Sequence, residues 1–146
     1  MGYKNIKNLR IRVLTEGCEP VANENGDWID LLTAKGCILH PGSFECIPLG
    51  IAVELPEGYE AFVVMRSSSF NRYGIIQTNA IGIIDNSYCG DNDEWKIPVY
   101  SFRDVFIPRW TRIAQFRIIK NQPLFSIEYV DKLGNKDRNG FGSTGV

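Results

Sequence analysis

The chain has 146 residues, 44% of them hydrophobic, and a formal net charge of −1. That length makes one ordinary domain, able to bury roughly 70% of the surface of its extended chain with no disulfide to hold it. Acids and bases are interspersed, which excludes a broad basic face for a nucleic-acid backbone; no nucleic-acid partner is expected, and a phosphate ligand must be met by a few placed cations.

The opening MGYKNIKNLRIRV is charged and has no long apolar run, so neither a signal peptide nor a membrane span is expected, and the protein is assigned to the cytoplasm. Cys18, Cys37, Cys46 and Cys89 form no CxxC pair and His40 is the single imidazole, which excludes a Cys/His zinc site of usual spacing and favours reduced thiols. From Cys46 to Leu55 the odd positions Ile47, Leu49, Ile51, Val53 and Leu55 are apolar, the two-residue period of a half-buried strand. LPEGYE turns the chain into a second strand over Tyr59–Met65. Further strands are predicted at Gly74–Thr78, Gly82–Asp85, Lys96–Phe102, Arg112–Lys120 and Leu124–Val130, with Pro and Gly at the connections. One short helix is predicted in RSSSFNRYG, with Ser67 or Ser68 as N-cap and Gly74 as a left-handed stop. Many short strands and no long amphipathic helix predict an all-β fold, a β-barrel or jelly roll, over residues 1–135. The Gly-rich end, residues 136–146, is poor in apolar residues and is expected to be mobile by itself.

Three stretches suit an anion. Arg66 precedes serines at a helix start, where backbone N–H groups are free. RIAQ alternates along a strand, with Arg112 and Ala114 on one face and Ile113 and Gln115 on the other. The tail combines Arg138, four glycines between Gly134 and Gly145, Phe141, Ser143 and Thr144, a composition that can wrap phosphate oxygens while Phe141 covers an aromatic ring. Taken singly, each has an ordinary account: a capped helix with a solvated Arg, an edge-strand cation with a surface amide, a disordered terminus. A fourth stretch, GIIDNSYCG, sets Asp85 beside two isoleucines, where a carboxylate is either satisfied by hydrogen bonds or employed in chemistry.

In order along the chain, GDWIDLL (26–32), MRSSS (65–69), GIIDNSYCGD (82–91), RIAQ (112–115) and DRNGFGSTG (137–145) resemble the five motifs of the homotrimeric dUTP diphosphatases. The resemblance implies a jelly-roll protomer, a homotrimer with active sites shared between subunits, and Mg²⁺-dependent hydrolysis of dUTP to dUMP and pyrophosphate. That reaction limits uracil incorporation into DNA and supplies dUMP for dTMP synthesis. It implies Asp85 as the base that deprotonates the water attacking the α-phosphorus, and Tyr88 as the flat ring under the deoxyribose that leaves no room for a 2′-hydroxyl. Uracil would be read by the backbone of a hairpin over residues 79–88, including Gly82 and Ile84, with a contact from Asn79. The phosphates would be held by Ser67, Ser68, Gln115, Arg138, Ser143 and Thr144, with Phe141 over the base. Arg66 and Arg112 are supporting cations, Arg66 holding the fold around Asp30. Asp30 would touch the metal's water shell near Gln115, with Mg²⁺ carried by the triphosphate and no direct protein ligand.

The chain departs from the family pattern in the short Arg138–Phe141 spacing and in the acidic GDNDEW continuation, where Trp95 is a candidate for covering the site. Trp28 looks like a packing residue, and these variants resemble a Gram-positive bacterial or prophage branch. Two rival functions share the fold: a dCTP deaminase, which needs a glutamate on the strand after the third motif where WKIPVYSF has none, and a non-catalytic phage-type regulatory binding protein.

Overall fold

The computed structural model describes residues 7–140. Among the described residues, short runs rich in β-branched and aromatic side chains fold as twelve strands: β1 (Arg10–Val13), β2 (Val21–Ala22), β3 (Ile29–Leu32), β4 (Cys37–Leu39), β5 (Phe44–Pro48), β6 (Ile51–Glu54), β7 (Tyr59–Met65), β8 (Ile75–Gln77), β9 (Gly82–Ile84), β10 (Lys96–Ser101), β11 (Val105–Ile107) and β12 (Arg112–Lys120). A single helix, α1 (Ser69–Tyr73), lies between β7 and β8. The strands form a five-stranded sheet in the order β2-β3-β12-β7-β9, a three-stranded sheet β5-β10-β8, and the pairs β1-β6 and β11-β4. This is a jelly-roll-like, nearly all-β architecture around one apolar core.

The predicted strands at Tyr59–Met65 and Arg112–Lys120 form with those bounds. They are neighbours, antiparallel from Ala114 opposite Met65 to Lys120 opposite Tyr59. The strict alternation expected for RIAQ fails, however, because the register with β3 shifts between Arg112 and Ala114. Ile113 is the extra residue of a β-bulge, so Ile113 and Ala114 are both buried. The bulge moves Arg112 off the face of Ala114 and onto the face of Asp30 and Gln115.

The single strand expected over Cys46–Leu55 is two strands in different sheets. All five odd positions are buried, but the chain turns at Gly50, which has φ 73°. A Cβ there would lie 2.7 Å from the Cys18 side chain, so the corner needs glycine. Trp95 corrects a second expectation: it is fully buried and packs edge-on against Phe116 at 5.2 Å, a core residue and not a cover for the site. Arg117 stands 5.4 Å over the Trp28 ring, in keeping with packing at that position. All four cysteines are free, and burial pushes the Cys18 and Cys37 thiols up. The strand expected at Leu124–Val130 has no partner: the chain leaves β12 without further pairing, and Leu124, Phe125, Ile127 and Tyr129 are exposed.

Candidate active site

Asp30 organises one part of the site. It sits in β3 opposite Gln115 and is only 3% exposed. Arg112 donates to its Oδ2 through Nε at 2.7 Å and Nη2 at 2.6 Å, and Arg66 Nε stands 3.5 Å from Oδ1. A buried carboxylate held by two guanidiniums is satisfied within the chain, which gives Asp30 the contacts of a structural anchor.

The bulge on β12 ties the MRSSS loop in place. Its extra residue frees the Ile113 carbonyl from the ladder, and that oxygen accepts from Arg66 N–H at 3.2 Å and from Ser69 Oγ at 3.1 Å. The first turn of α1 is thereby pinned on β12 at Ile113. Ser68 is the N-cap residue but makes no side-chain capping bond, and Gly74 stops the helix at φ 64° as predicted. With five residues the helix has little dipole to offer an anion. Ser67 and Arg66 line a cleft of about 310 Å³ with Phe70, Ile76 and Ala80.

Asp85 and Tyr88 lie elsewhere. The segment over 79–88 is not a self-paired hairpin: β8 pairs with β10, whereas β9 pairs with β7 as the edge of the five-stranded sheet. The loop between them puts Ala80 at φ 58°, a conformation disfavoured for residues other than glycine. Gln77 ties the end of β8 to β7, accepting from Met65 N–H at 3.1 Å and donating to Val63 O at 3.0 Å, as a further strand would. Beyond β9, Asp85 opens a turn closed by Tyr88 N–H to Asp85 O at 3.0 Å. Asn86 Nδ2 anchors that turn on Leu55 O and Pro56 O, and Tyr88 OH donates to Glu94 O at 3.1 Å. Asp85 is exposed, and its Oδ1 accepts from Ser87 Oγ at 2.6 Å and Ser87 N–H at 2.8 Å. The Ser87 hydroxyl, then its N–H, hold the Asp85 carboxyl below the usual carboxylate range. Asp85, Ser87, Tyr88 and Glu94 line a cleft of about 470 Å³.

The two candidate regions therefore lie apart on one chain. Ala61 faces Ile84 and Met65 ends the same strand, so the Asp85 turn and the MRSSS loop are about 14 Å apart along β7 at the usual strand rise. Their clefts share no lining residue. Asn79 is exposed in the β8–β9 loop, Gly82 and Ile84 are half-buried on β9, and Arg138 is exposed in the extended run after β12. Phe141, Ser143 and Thr144 lie outside the described residues. Gln77 and Ser69 carry no local signal in the sequence; Ser87 does, through the Asp-x-Ser spacing of an Asx turn, and its two bonds are what capping of the Asn86-Ser87 turn by Asp85, the ordinary account of that acid, requires. Among the described residues no three His, Cys, Asp or Glu side chains stand together to hold a metal ion, and no helix is long and apolar enough to cross a membrane.

A model of the dUTPase family matches residues 27–145. The chain belongs to the dUTPase family. The SPbeta prophage-derived deoxyuridine 5'-triphosphate nucleotidohydrolase YosS of Bacillus subtilis strain 168 is 54% identical to it over 123 residues, covering 84% of this chain and 87% of that protein. The deoxyuridine 5'-triphosphate nucleotidohydrolase of Neorickettsia sennetsu is 36% identical over 129 residues, with 86% and 85% covered. The fold is that of the Staphylococcus bacteriophage 80alpha dUTPase solved with dUpNHpp, at a TM-score of 0.76 and 21% identity over 97% of this chain and all of that one. A phage phi11 dUTPase mutant, described with a structural Mg(II) ion, matches at a TM-score of 0.75, 19% identity, 87% of this chain and 99% of that one. These relatives are consistent with the prophage-related branch of this dUTPase family.

Proposed function

We propose that this dUTPase family member hydrolyses dUTP to dUMP and pyrophosphate, with Asp85 taking the proton of the water that attacks the α-phosphorus. The observation that carries this reading is the Asp85 turn. One carboxylate oxygen is held by two donors and, among the described residues, the other accepts no hydrogen bond, in a cleft shared with Tyr88. A carboxylate so held, ionised at neutral pH, has the geometry and charge of a general base. Tyr88 closes the cleft as a ring under the deoxyribose. β9 is a sheet edge, so its backbone groups on the side away from β7 have no strand partner. They are available to match the donor and acceptor pattern of uracil, and cytosine would leave them unpaired.

The phosphates are taken by Ser67, Ser68, Gln115, Arg138, Ser143 and Thr144, with Phe141 over the base and residues 136–146 closing over the site as a unit distinct from 1–135. Mg²⁺ arrives on the triphosphate, keeping several waters and taking its other oxygens from the phosphates. Mg²⁺ bound there would neutralise charge on the phosphate oxygens. The deaminase alternative is disfavoured because β10, which follows the third motif, reads KIPVYS and has no acid to activate water at a base.

The two partial sites call for assembly, and we read the protein as a homotrimer with sites formed between subunits. Leu124, Phe125, Ile127, Tyr129 and Leu133 are apolar and exposed, which a second copy would cover. Light scattering is expected to give three times the chain mass, and a chain ending at Gln122 is expected to fall below it. A parent that runs as a monomer while turning over dUTP would remove the shared-site reading.

A pyrophosphate-release assay across dUTP, dCTP, dTTP and UTP tests the activity. Rapid release is expected from dUTP alone. In the Tyr88→Ala variant the preference for dUTP over UTP should weaken more than that for dUTP over dCTP. Comparable release from dCTP by the parent, or ammonia production, would sink the assignment.

A further inference from the structure

Among the described residues the side chain of Ser87 has one hydrogen-bond partner, the Asp85 carboxylate. We propose that Ser87 is a positioning residue for the base: its hydroxyl and N–H clamp Oδ1 of Asp85, so that Oδ2 is presented in one fixed direction. The proposal rests on the reading of Asp85 as general base. An exposed aspartate is otherwise free to turn about both side-chain torsions, and that freedom must be removed for in-line proton transfer. The N–H at 2.8 Å limits where Oδ1 can lie, and the hydroxyl at 2.6 Å adds a second direction that fixes the carboxylate plane.

The turn does not need that hydroxyl. Tyr88 N–H closes it on Asp85 O, Asn86 fastens it to Leu55 and Pro56, and Tyr88 OH ties its far side to Glu94. Nor does the hydroxyl help the base as a base. Two donors on one carboxylate favour the ionised form and so weaken its pull on a proton. Removal of the hydroxyl therefore has two consequences of opposite sign. A stronger base would speed the reaction, and a wandering one would slow it. The clamp is retained because position outweighs basicity in this site.

The test compares pH–rate profiles of the parent, Ser87→Ala, Ser87→Thr and Asp85→Asn on dUTP with Mg²⁺. Ser87→Ala is expected to lower plateau kcat by about tenfold or more, with KM little changed, since misplacement of a catalytic group by about 1 Å can cost about 10²-fold. The acid limb of its kcat/KM profile should move to higher pH, because the depressed carboxyl returns toward its ordinary range. Ser87→Thr keeps the hydroxyl and should restore both. An NMR titration of the Asp85 carboxyl carbon without substrate reads the same shift independently of turnover and of any change in assembly. A Ser87→Ala plateau at or above the parental value, an unmoved titration midpoint, or a Ser87→Thr variant as impaired as the alanine would each overturn the clamp. Near-parental turnover by Asp85→Asn would instead overturn the base itself. An inactive Asp85→Asn beside a fully active Ser87→Ala would remove the clamp and leave the base standing.

Discussion

Replacing Asp85 with Asn is expected to lower turnover of dUTP by about 10²–10⁴-fold, the usual worth of a general base, while leaving binding and fold almost unchanged. The structure makes this a clean comparison. The Asp85 oxygen that serves the turn accepts two hydrogen bonds from Ser87, and an asparagine carbonyl can accept the same two. The turn is further closed by Tyr88 N–H and anchored by Asn86, so its geometry should survive the substitution. What asparagine cannot do is take a proton. Single-turnover hydrolysis and calorimetric binding on one preparation separate these roles. If Asp85 served the turn alone, the asparagine variant would hydrolyse dUTP at nearly the parental rate, and Asp85 would leave the mechanism.

Periodicity disclosed the elements whose pairing is regular and concealed those where the ladder breaks. Tyr59–Met65 and Arg112–Lys120 were legible to the residue because they pair with each other over seven positions without interruption. The bulge at Ile113 was not, since alternation counts one residue per partner and a bulge places two against one. That single residue decides which face Arg112 occupies, and so brings its guanidinium onto Asp30. The apolar positions from Ile47 to Leu55 were all correctly assigned to the core, but the corner at Gly50 reflects the nearness of Cys18, a contact between residues far apart in sequence. Leu124–Val130 has a strand's composition without a strand's partner. In the candidate site, motif order singles out Asp85, Tyr88, Ser67 and Gln115 as candidates, whereas the contacts of Gln77 and Ser69 are hydrogen bonds that cross between elements.

Asp30→Asn is expected to destabilise the fold before it alters any chemistry. Breaking a wholly buried ion pair by removing one partner costs about 3–5 kcal/mol. Here the carboxylate is buried, but the Arg66 and Arg112 side chains are 32% and 42% exposed and can recover water. A loss of about 2 kcal/mol is the better figure. For a domain of this length that corresponds to a fall in unfolding midpoint of roughly 4–8 °C. Asparagine keeps an acceptor for one guanidinium, but its amide must then turn N–H toward the other, so the arrangement cannot be satisfied at both sides. The damage should spread to activity through Arg66 and the serines behind it, whose loop hangs on the Ile113 carbonyl beside Arg112. The deciding measurement is thermal unfolding with neither nucleotide nor Mg²⁺ present. An anchor reveals itself there, because nothing but the protein's own cations faces the carboxylate. An acid that met the metal's water shell would behave otherwise: the substrate-free midpoint would stay at the parental value, and the Mg²⁺ concentration needed for half-maximal activity would rise. That second pattern would overturn the anchoring role, since the Arg112 contacts at 2.6 and 2.7 Å would then contribute nothing measurable to the folded state.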